Sequence, residues 1–461
     1  MRLSAAWVAA QMAGAVTAGD AGREFDGVSI DTRTLKAGDL YFAVRGERFD
    51  GAEFADAAID AGAAGVVVPR AWTGHRAAVV IEVDVTTVAL QALAHAIRMA
   101  SGTKVVAITG SAGKTTTKEV TSEFLEARYR VVRNRGNFNN HIGLPLSLIE
   151  LRQRPEMAVV ELGMNHAGEI STLVRVAEPD VRVWTNVGEA HLGFFASLDA
   201  IADAKAEILE GATASTVLVA NADDPRITAR IGAFAGRVVT FGIEAGAADV
   251  RASAVVDRGI EGISARVTTR HGAIEFTTPL IGRANLANIL AATAVAEEFG
   301  VPLDAMAARA ARLRPAAHRG EIVRLPGGVT IVDDSYNANP TATKQALDVL
   351  ASSQGSRRIA VIGEMLELGE HSTELHEGVG RAAAGAGVDR LFAVGGAPAK
   401  ALAAAAIASG MPAAGVRYFS TSDEAADAAE AMVEPGDLVL VKGSRGVKTD
   451  RVVDRLKAGR G

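Results

Sequence analysis

The stretch KVVAITGSAGKTTT, from Lys104 to Thr117, constrains this chain more than any other. A β-branched apolar run, Val105, Val106, Ala107 and Ile108, breaks into Gly110-Ser111-Ala112-Gly113-Lys114-Thr115-Thr116 and then a polar helix start. A strand that hands a glycine loop to a helix N-terminus forms a polyphosphate cradle, because glycines let backbone N–H groups turn toward phosphate oxygens. Lys114 adds a cation, and Thr115 can place its hydroxyl on Mg²⁺. The generic G-x-x-x-x-G-K-[ST] pattern asks for glycine at Ile108, whereas this loop is G-x-x-G-K-T. An ordinary glycine turn would leave the Lys-Thr pair idle. The expectation is a nucleoside triphosphate site.

Composition narrows the class. At 461 residues the chain has room for two to four domains with several cores. A net charge of −6 argues against a nucleic-acid partner, which favours a basic stripe. With no cysteine, disulfides, thiolate catalysis and cysteine-ligated metals are excluded. The N-terminal MRLSAAWVAAQMAGAVTAG places Arg2 before an apolar stretch, but Gln11 and Gly14 interrupt it. A short amphipathic helix fits it better than a signal peptide. No segment approaches the ~20 apolar residues that span a bilayer, so no membrane insertion is expected.

Three segments are expected, all α/β. Residues 1–102 are mixed, with VSIDTRTLKAGDLYFAV forming two short strands around a turn at Lys36 to Asp39. Strands at Gly65 to Val68 and Ala78 to Val83 follow, then a helix from Thr87 to Ala100 that Ser101-Gly102 ends. In residues 103–314, apolar strands (VVAIT, MAVVEL, VRVWTNV, TVLVAN, RVVTFG) alternate with helical stretches, the pattern of a parallel sheet covered on both faces. A β-rich insert at about Asp249 to Thr278 and a helix from Asn285 to Glu298 complete that segment. Residues 315–461 alternate again and are Rossmann-like.

Open α/β sheets bind ligands at the carboxyl ends of their strands, where the chemistry-bearing residues of this chain also fall. Glu161, near the end of MAVVEL, is placed to hold Mg²⁺. His191 after VRVWTNV is either a metal or phosphate contact or a solvated loop histidine. Asn137, Asn139 and Asn140 in NRGNFNNHIGLP either offer amides to a polar ligand or merely form turns. Lys205, on a helix between Asp203 and Glu207, has the surroundings of a solvated surface lysine. Asp333 and Asp334 at a strand end bind ribose or metal, or serve as an N-cap with an Asx-turn. Lys442-Gly443-Ser444-Arg445 favours an anion.

Taken in order, TGSAGKTTTKE, GNFNNHIGLP, VVELGMNHAGEI, NVGEAHL, GRANLANILAA, AHRGEI, DDSYNANP and VKGSRG resemble the Mur ligase family, and the resemblance runs over essentially the whole chain. These ATP-dependent enzymes add amino acids to the UDP-sugar precursor of peptidoglycan. DDSYNANP, GEMLELGEHS and VKGSRG most resemble the member that joins D-Ala-D-Ala to UDP-MurNAc-tripeptide. The resemblance implies three domains: a UDP-substrate domain (1–102), a central ATP-binding domain (103–314) and a Rossmann-like domain for the incoming dipeptide (315–461). It implies that Thr115 and Glu161 hold one Mg²⁺, while His191 and Lys205, carbamylated by CO₂, serve a second. Asn285 and Asn288 match positions near adenine, and Arg319 and Asp334 match ATP contacts. Ser29, Asp31, Arg33, Arg45, Gly46 and Asp50 match the UDP end. Tyr336, Asn337, Asn339, Lys442, Ser444 and Arg445 fall on the side of the other substrates. Family members often carry Gly-His after that aspartate, whereas this chain has Asp50-Gly51-Ala52. A monomeric cytoplasmic enzyme is expected. The alternatives are another amide ligase of the superfamily, such as a folylpolyglutamate synthetase, and a non-catalytic P-loop ATPase.

Overall fold

The computed structural model describes every residue except Glu47, Arg48, Arg76, Arg135 and Gly461. Packing divides the chain into two compact units. One holds Met1–Ala107, Tyr129–Arg182 and Glu207–Thr216; the other holds Ile108–Arg128, Val183–Ala206 and Val217–Gly461.

The first unit begins with the helix Ala5–Gln11, capped by the Ser4 side chain accepting from the Trp7 N–H. Ala5, Val8 and Ala9 are buried, the i, i+3, i+4 stripe of an amphipathic helix. A five-stranded sheet follows in the order Ala15–Ala18, Val79–Val83, Gly65–Pro69, Leu40–Phe42, Val28–Ser29. The turn at Lys36 to Asp39 forms, with the Asp39 N–H on the Lys36 carbonyl at 3.1 Å. Its flanking strands pair in parallel, Val28 against Leu40, so the residues between them cross over instead of closing a hairpin. Tyr41, Ala55, Ala58, Val66 and Val80 form the core on one face. The helix Thr86–Ser101 stops at Gly102, which takes φ 72°, where a side chain would be strained. Arg98 is buried on this helix, and its guanidinium is satisfied by Asp180 (2.7 Å) and by the carbonyls of Ala177 and Glu178.

The glycine-loop strand Lys104–Thr109 belongs to a nine-stranded sheet. Its order is Gly272–Thr278, Ile263–Thr269, Val250–Asp257, Arg237–Gly242, Val217–Asn221, Val181–Trp184, Lys104–Thr109, Met157–Glu161, Val131–Arg133. The expected β-rich insert forms the antiparallel end, Val250–Asp257 on Ile263–Thr269 on Gly272–Thr278. The helix Gly282–Glu298 begins three residues earlier than the pattern suggested; Gly282 at φ 79° opens it. In the second unit lies a six-stranded sheet in the order Glu321–Arg324, Thr330–Asp334, Leu438–Lys442, Arg358–Gly363, Arg390–Val394, Val416–Phe419. Only the first of these pairs antiparallel. Leu438–Lys442 is buried at every position, as a strand covered on both faces must be. The α/β class expected from the alternating pattern is the one found. Among the described residues no helix is long and apolar enough to cross a membrane.

Candidate active site

The loop from Gly110 to Thr116 has the conformation its glycines require. Gly110 takes φ 151°, and a Cβ there would lie 1.9 Å from Thr185 Oγ1. At Gly113, φ is 79° and a Cβ would meet Asn288 Oδ1 at 2.3 Å. Gly113 is also the N-cap of the helix Lys114–Leu125, and no side chain caps that start. Its first N–H groups therefore face the loop, the arrangement that attracts an anion. Lys114 Nζ donates to the Gly110 carbonyl at 2.7 Å, which folds the ammonium over the loop.

A second layer holds the loop in shape, and sequence reasoning missed half of it. Asn186 Oδ1 accepts from the Ala112 N–H (2.9 Å), while its Nδ2 and Thr185 Oγ1 donate to the Ala112 carbonyl. Ser111 Oγ accepts from the Gly188 N–H (2.9 Å), so this hydroxyl braces the loop. The only sequence signal for Thr185 and Asn186 was their place at the end of VRVWTNV. Asn288 Oδ1 accepts from Thr117 Oγ1 (3.1 Å), and its Nδ2 donates to Asn285 Oδ1. In this structure Asn288, held by Asn285, links their helix to the helix that follows the phosphate loop.

Lys205 reverses its surface reading. It lies on the helix Leu198–Ala206 and is 1% exposed. Burial pushes its pKa far down, and the nearby Lys114 cation adds to the shift. Among the described residues its ammonium has no hydrogen bond or ion pair. A buried cation without a counter-charge is expensive, and a modification that replaces the charge would relieve that cost. No three His, Cys, Asp or Glu side chains among the described residues come together as a metal-holding group.

His191 has φ 64° and sets its Nδ1 2.6 Å from Glu367 Oε2. That bond holds the Glu367 carboxyl below the usual range. Glu367 lies in GEMLELGEHS but was not singled out from sequence.

Glu161, 4% exposed at the end of Met157–Glu161, is oriented by asparagines. Its N–H donates to Asn134 Oδ1 (3.1 Å), and Asn139 Nδ2 donates to its Oε1 (2.9 Å). Asn139 thus serves the carboxylate, and Asn134, which opens the same asparagine-rich stretch, serves the Glu161 backbone. Asn140 accepts from the Ile142 and Gly143 N–H groups, the turn-forming role. Asn137 is exposed.

Near the strand Thr330–Asp334, several residues matched to ligands hold one another. The Asp334 carboxylate takes Lys442 Nζ at 2.6 Å, and Lys442 also donates to the Asn337 carbonyl. The Lys442 side chain is only 4% exposed, so it acts as a buried staple and not as a surface anion hook. Ser444 Oγ accepts from the Leu366 N–H (2.9 Å). Asn339 caps the helix Pro340–Ser352 by accepting from the Ala342 N–H. Asp333 is fully buried and carries the Asx-turn, accepting from Ser335 N–H and Oγ and pairing with His318 Nδ1 at 2.8 Å. What remains presented is the exposed side chain of Asn337 together with an aromatic and cationic group. The Arg319 guanidinium lies 4.0 Å from the Tyr336 ring centre and that of Arg445 5.9 Å away. Asp334→Ala should destabilise the fold by about 3 kcal/mol, because it strands the Lys442 ammonium in a buried place. Denaturant unfolding checks this; a change under 1 kcal/mol would return Lys442 to the surface.

In the first unit, Arg33 grips Asp31 at 2.6 Å and holds its carboxyl at about 2. Ser29 Oγ accepts from the Asp31 N–H (3.2 Å). Arg45 and Asp50 form an isolated antiparallel bridge, with the Gly46 N–H on the Phe49 carbonyl. Gly51 is obligatory, since a Cβ there would lie 2.6 Å from the Val44 carbonyl. Glu47 and Arg48 of the RGERFDG motif lie outside the described residues.

Three family models match the chain in succession: the Mur ligase family catalytic domain at 24–104, the Mur ligase middle domain at 108–296 and the Mur ligase glutamate ligase domain at 318–445. The chain belongs to the Mur ligase family. Among Mur ligases it is 35% identical over 440 residues to the UDP-N-acetylmuramoyl-tripeptide–D-alanyl-D-alanine ligase of Bacillus subtilis, covering 93% of each chain. Its Escherichia coli counterpart is 35% identical over 435 residues, with 94% of each covered. The crystal structure of MurF from Acinetobacter baumannii superposes with a TM-score of 0.90 at 28% identity over 99% of both chains. MurF from Thermotoga maritima in complex with ADP gives 0.84 at 28% identity, covering 94% of this chain and 97% of that one. Both solved Mur ligases share the α/β architecture described above.

Proposed function

We propose that this chain is a cytoplasmic, monomeric ATP-dependent ligase that joins D-Ala-D-Ala to UDP-MurNAc-tripeptide. The observation that carries the reading is the identity with ligases of that name across more than nine-tenths of both chains. In this reading residues 1–102 hold the UDP end through Ser29, Asp31, Arg33, Arg45, Gly46 and Asp50, residues 103–314 hold ATP, and residues 315–461 receive the dipeptide. Arg319 faces ATP, with Asp334 on the same side while it holds Lys442; Tyr336 and Arg445 are presented to the dipeptide.

The reaction brings two anions together, the ATP γ-phosphate and the terminal carboxylate of the tripeptide. That carboxylate takes the phosphoryl group to give an acyl phosphate and ADP. The dipeptide amine then attacks the acyl carbon, and the tetrahedral intermediate expels phosphate and leaves an amide. The N–H groups at the start of the helix Lys114–Leu125 and the Lys114 ammonium bind and orient the phosphates and offset the charge that develops on the transferring group. Bound Mg²⁺ ions would add further positive charge there, and Thr115, Glu161, His191 and carbamylated Lys205 are the residues that would hold them. Asn139 holds the Glu161 carboxylate and Asn134 its backbone N–H, while Thr185 and Asn186 hold the Ala112 carbonyl.

The test is ADP formation by purified protein with UDP-MurNAc-tripeptide, with and without D-Ala-D-Ala. The expected result is turnover that needs both substrates. Turnover with glutamate or diaminopimelate as amine donor would point to another amide ligase, and turnover indifferent to the UDP-tripeptide would point to a plain ATPase.

A further inference from the structure

We propose that Glu367 is the positioning residue for His191, fixing which of its ring nitrogens is left to bind a ligand. The inference rests on the ligase reading, in which His191 is a metal ligand.

The two residues lie 176 apart in the chain, yet Nδ1 of His191 is 2.6 Å from Oε2 of Glu367. A carboxylate only accepts, so in the neutral ring Nδ1 carries the hydrogen and the lone pair is at Nε2. A histidine that binds metal through one nitrogen gains orientation and basicity when the other donates to a carboxylate. Backbone contacts show that this is a docked arrangement and not a chance encounter of side chains. The Gly193 N–H donates to the Glu367 carbonyl at 2.7 Å, and a Cβ on Gly193 would lie 2.8 Å from the Gly369 nitrogen. Both His191 and Glu367 take φ 64°, a left-handed conformation that side chains adopt only when their surroundings hold them there. On the same loop Glu189 accepts from the Thr341 hydroxyl.

The segment carrying Glu367 is itself anchored. The Met365 N–H donates to Nε2 of the fully buried His376 (2.9 Å), whose Nδ1 lies 2.6 Å from the Ser372 carbonyl. The Leu366 N–H donates to Ser444 Oγ. Ser444 and His376 therefore act on the site through Glu367. His191 is correctly set only while the loop after Arg358–Gly363 is docked on the loop after Val181–Trp184.

The experiment uses the full chain. Glu367→Leu removes the acceptor at similar size, and Glu367→Gln keeps an acceptor without the charge. Nitrogen-15 histidine spectra of the metal-free protein, with His191→Asn for assignment, should show the Nδ1–H tautomer in the wild type. That tautomer should be lost in Glu367→Leu and regained in Glu367→Gln. The Mg²⁺ concentration giving half-maximal ADP formation should rise about 10- to 100-fold in Glu367→Leu, with KM for the UDP-tripeptide within about twofold. An unchanged His191 signal in Glu367→Leu, or an unchanged Mg²⁺ requirement, overturns the inference. So does an equal loss for every substrate accompanied by a lower melting temperature, which is a structural effect only. Wild-type protein that forms no amide bond overturns the ligase reading. A wild type that ligates, beside an unaltered Glu367→Leu, overturns only the role given to Glu367.

Discussion

Lys114→Ala should abolish ligation and leave the fold intact. Lys114 opens the helix Lys114–Leu125 and is only partly buried, and its Nζ reaches back to the Gly110 carbonyl. No core packing depends on it, so its removal leaves no apolar cavity. What is lost is a fixed cation at the place where charge moves during phosphoryl transfer. Removing one such preorganised group costs about 10³-fold in turnover, about 4 kcal/mol of barrier. Circular dichroism should be unchanged while ADP formation falls to background. Near-normal turnover, or loss of the folded state, would refute the assignment.

Lys205→Ala should remove most of the activity, and a short-chain carboxylate such as acetate should restore part of it. The argument begins with burial. Lys205 is 1% exposed and Lys114 lies close enough to add its charge, so the ammonium form is disfavoured from two sides. Burial keeps the amine neutral far below the pH at which a free lysine is neutral, and the neutral amine is the form that attacks CO₂. A nitrogen–carbon bond forms, one proton leaves, and the neutral amine becomes an anionic oxygen donor. Lys205→Met, which fills the space without the amine, separates lost chemistry from lost packing. Wild-type protein stripped of CO₂ and bicarbonate should lose activity and regain it on bicarbonate addition. Full activity in Lys205→Ala, or in CO₂-free buffer, would remove the role.

Both residues belong to segments whose local pattern was legible, yet only one of them could be recognised locally. The glycine loop is a run of adjacent residues whose backbone demands and chemistry coincide, so Gly110, Gly113 and Lys114 carry their own warrant. The alternation of apolar strands and helical stretches likewise announces parallel sheets, because a strand buried on both faces has to be apolar throughout. Lys205 has no such signature. Its neighbours Asp203 and Glu207 suggest a solvated helix face, and only the packing around Leu198–Ala206 turns it inward.

The asparagines and basic residues divide along the same line. Asn139 and Asn140 are adjacent and chemically identical, yet one turns its amide to Glu161 and the other closes a turn. Lys442 belongs to a basic glycine loop, but Asp334, 108 residues away, occupies its ammonium. The sequence by itself determined the α/β class, the phosphate loop and the family, because each is written in contiguous residues or in an ordered series of motifs. The tertiary structure alone decided which polar side chains serve one another. Hydrogen bonds and ion pairs depend on where distant strand ends and loops meet, and that information is not carried by any local stretch of chain. The His191–Glu367 pair is the clearest instance, with each partner an ordinary loop residue until the two loops dock.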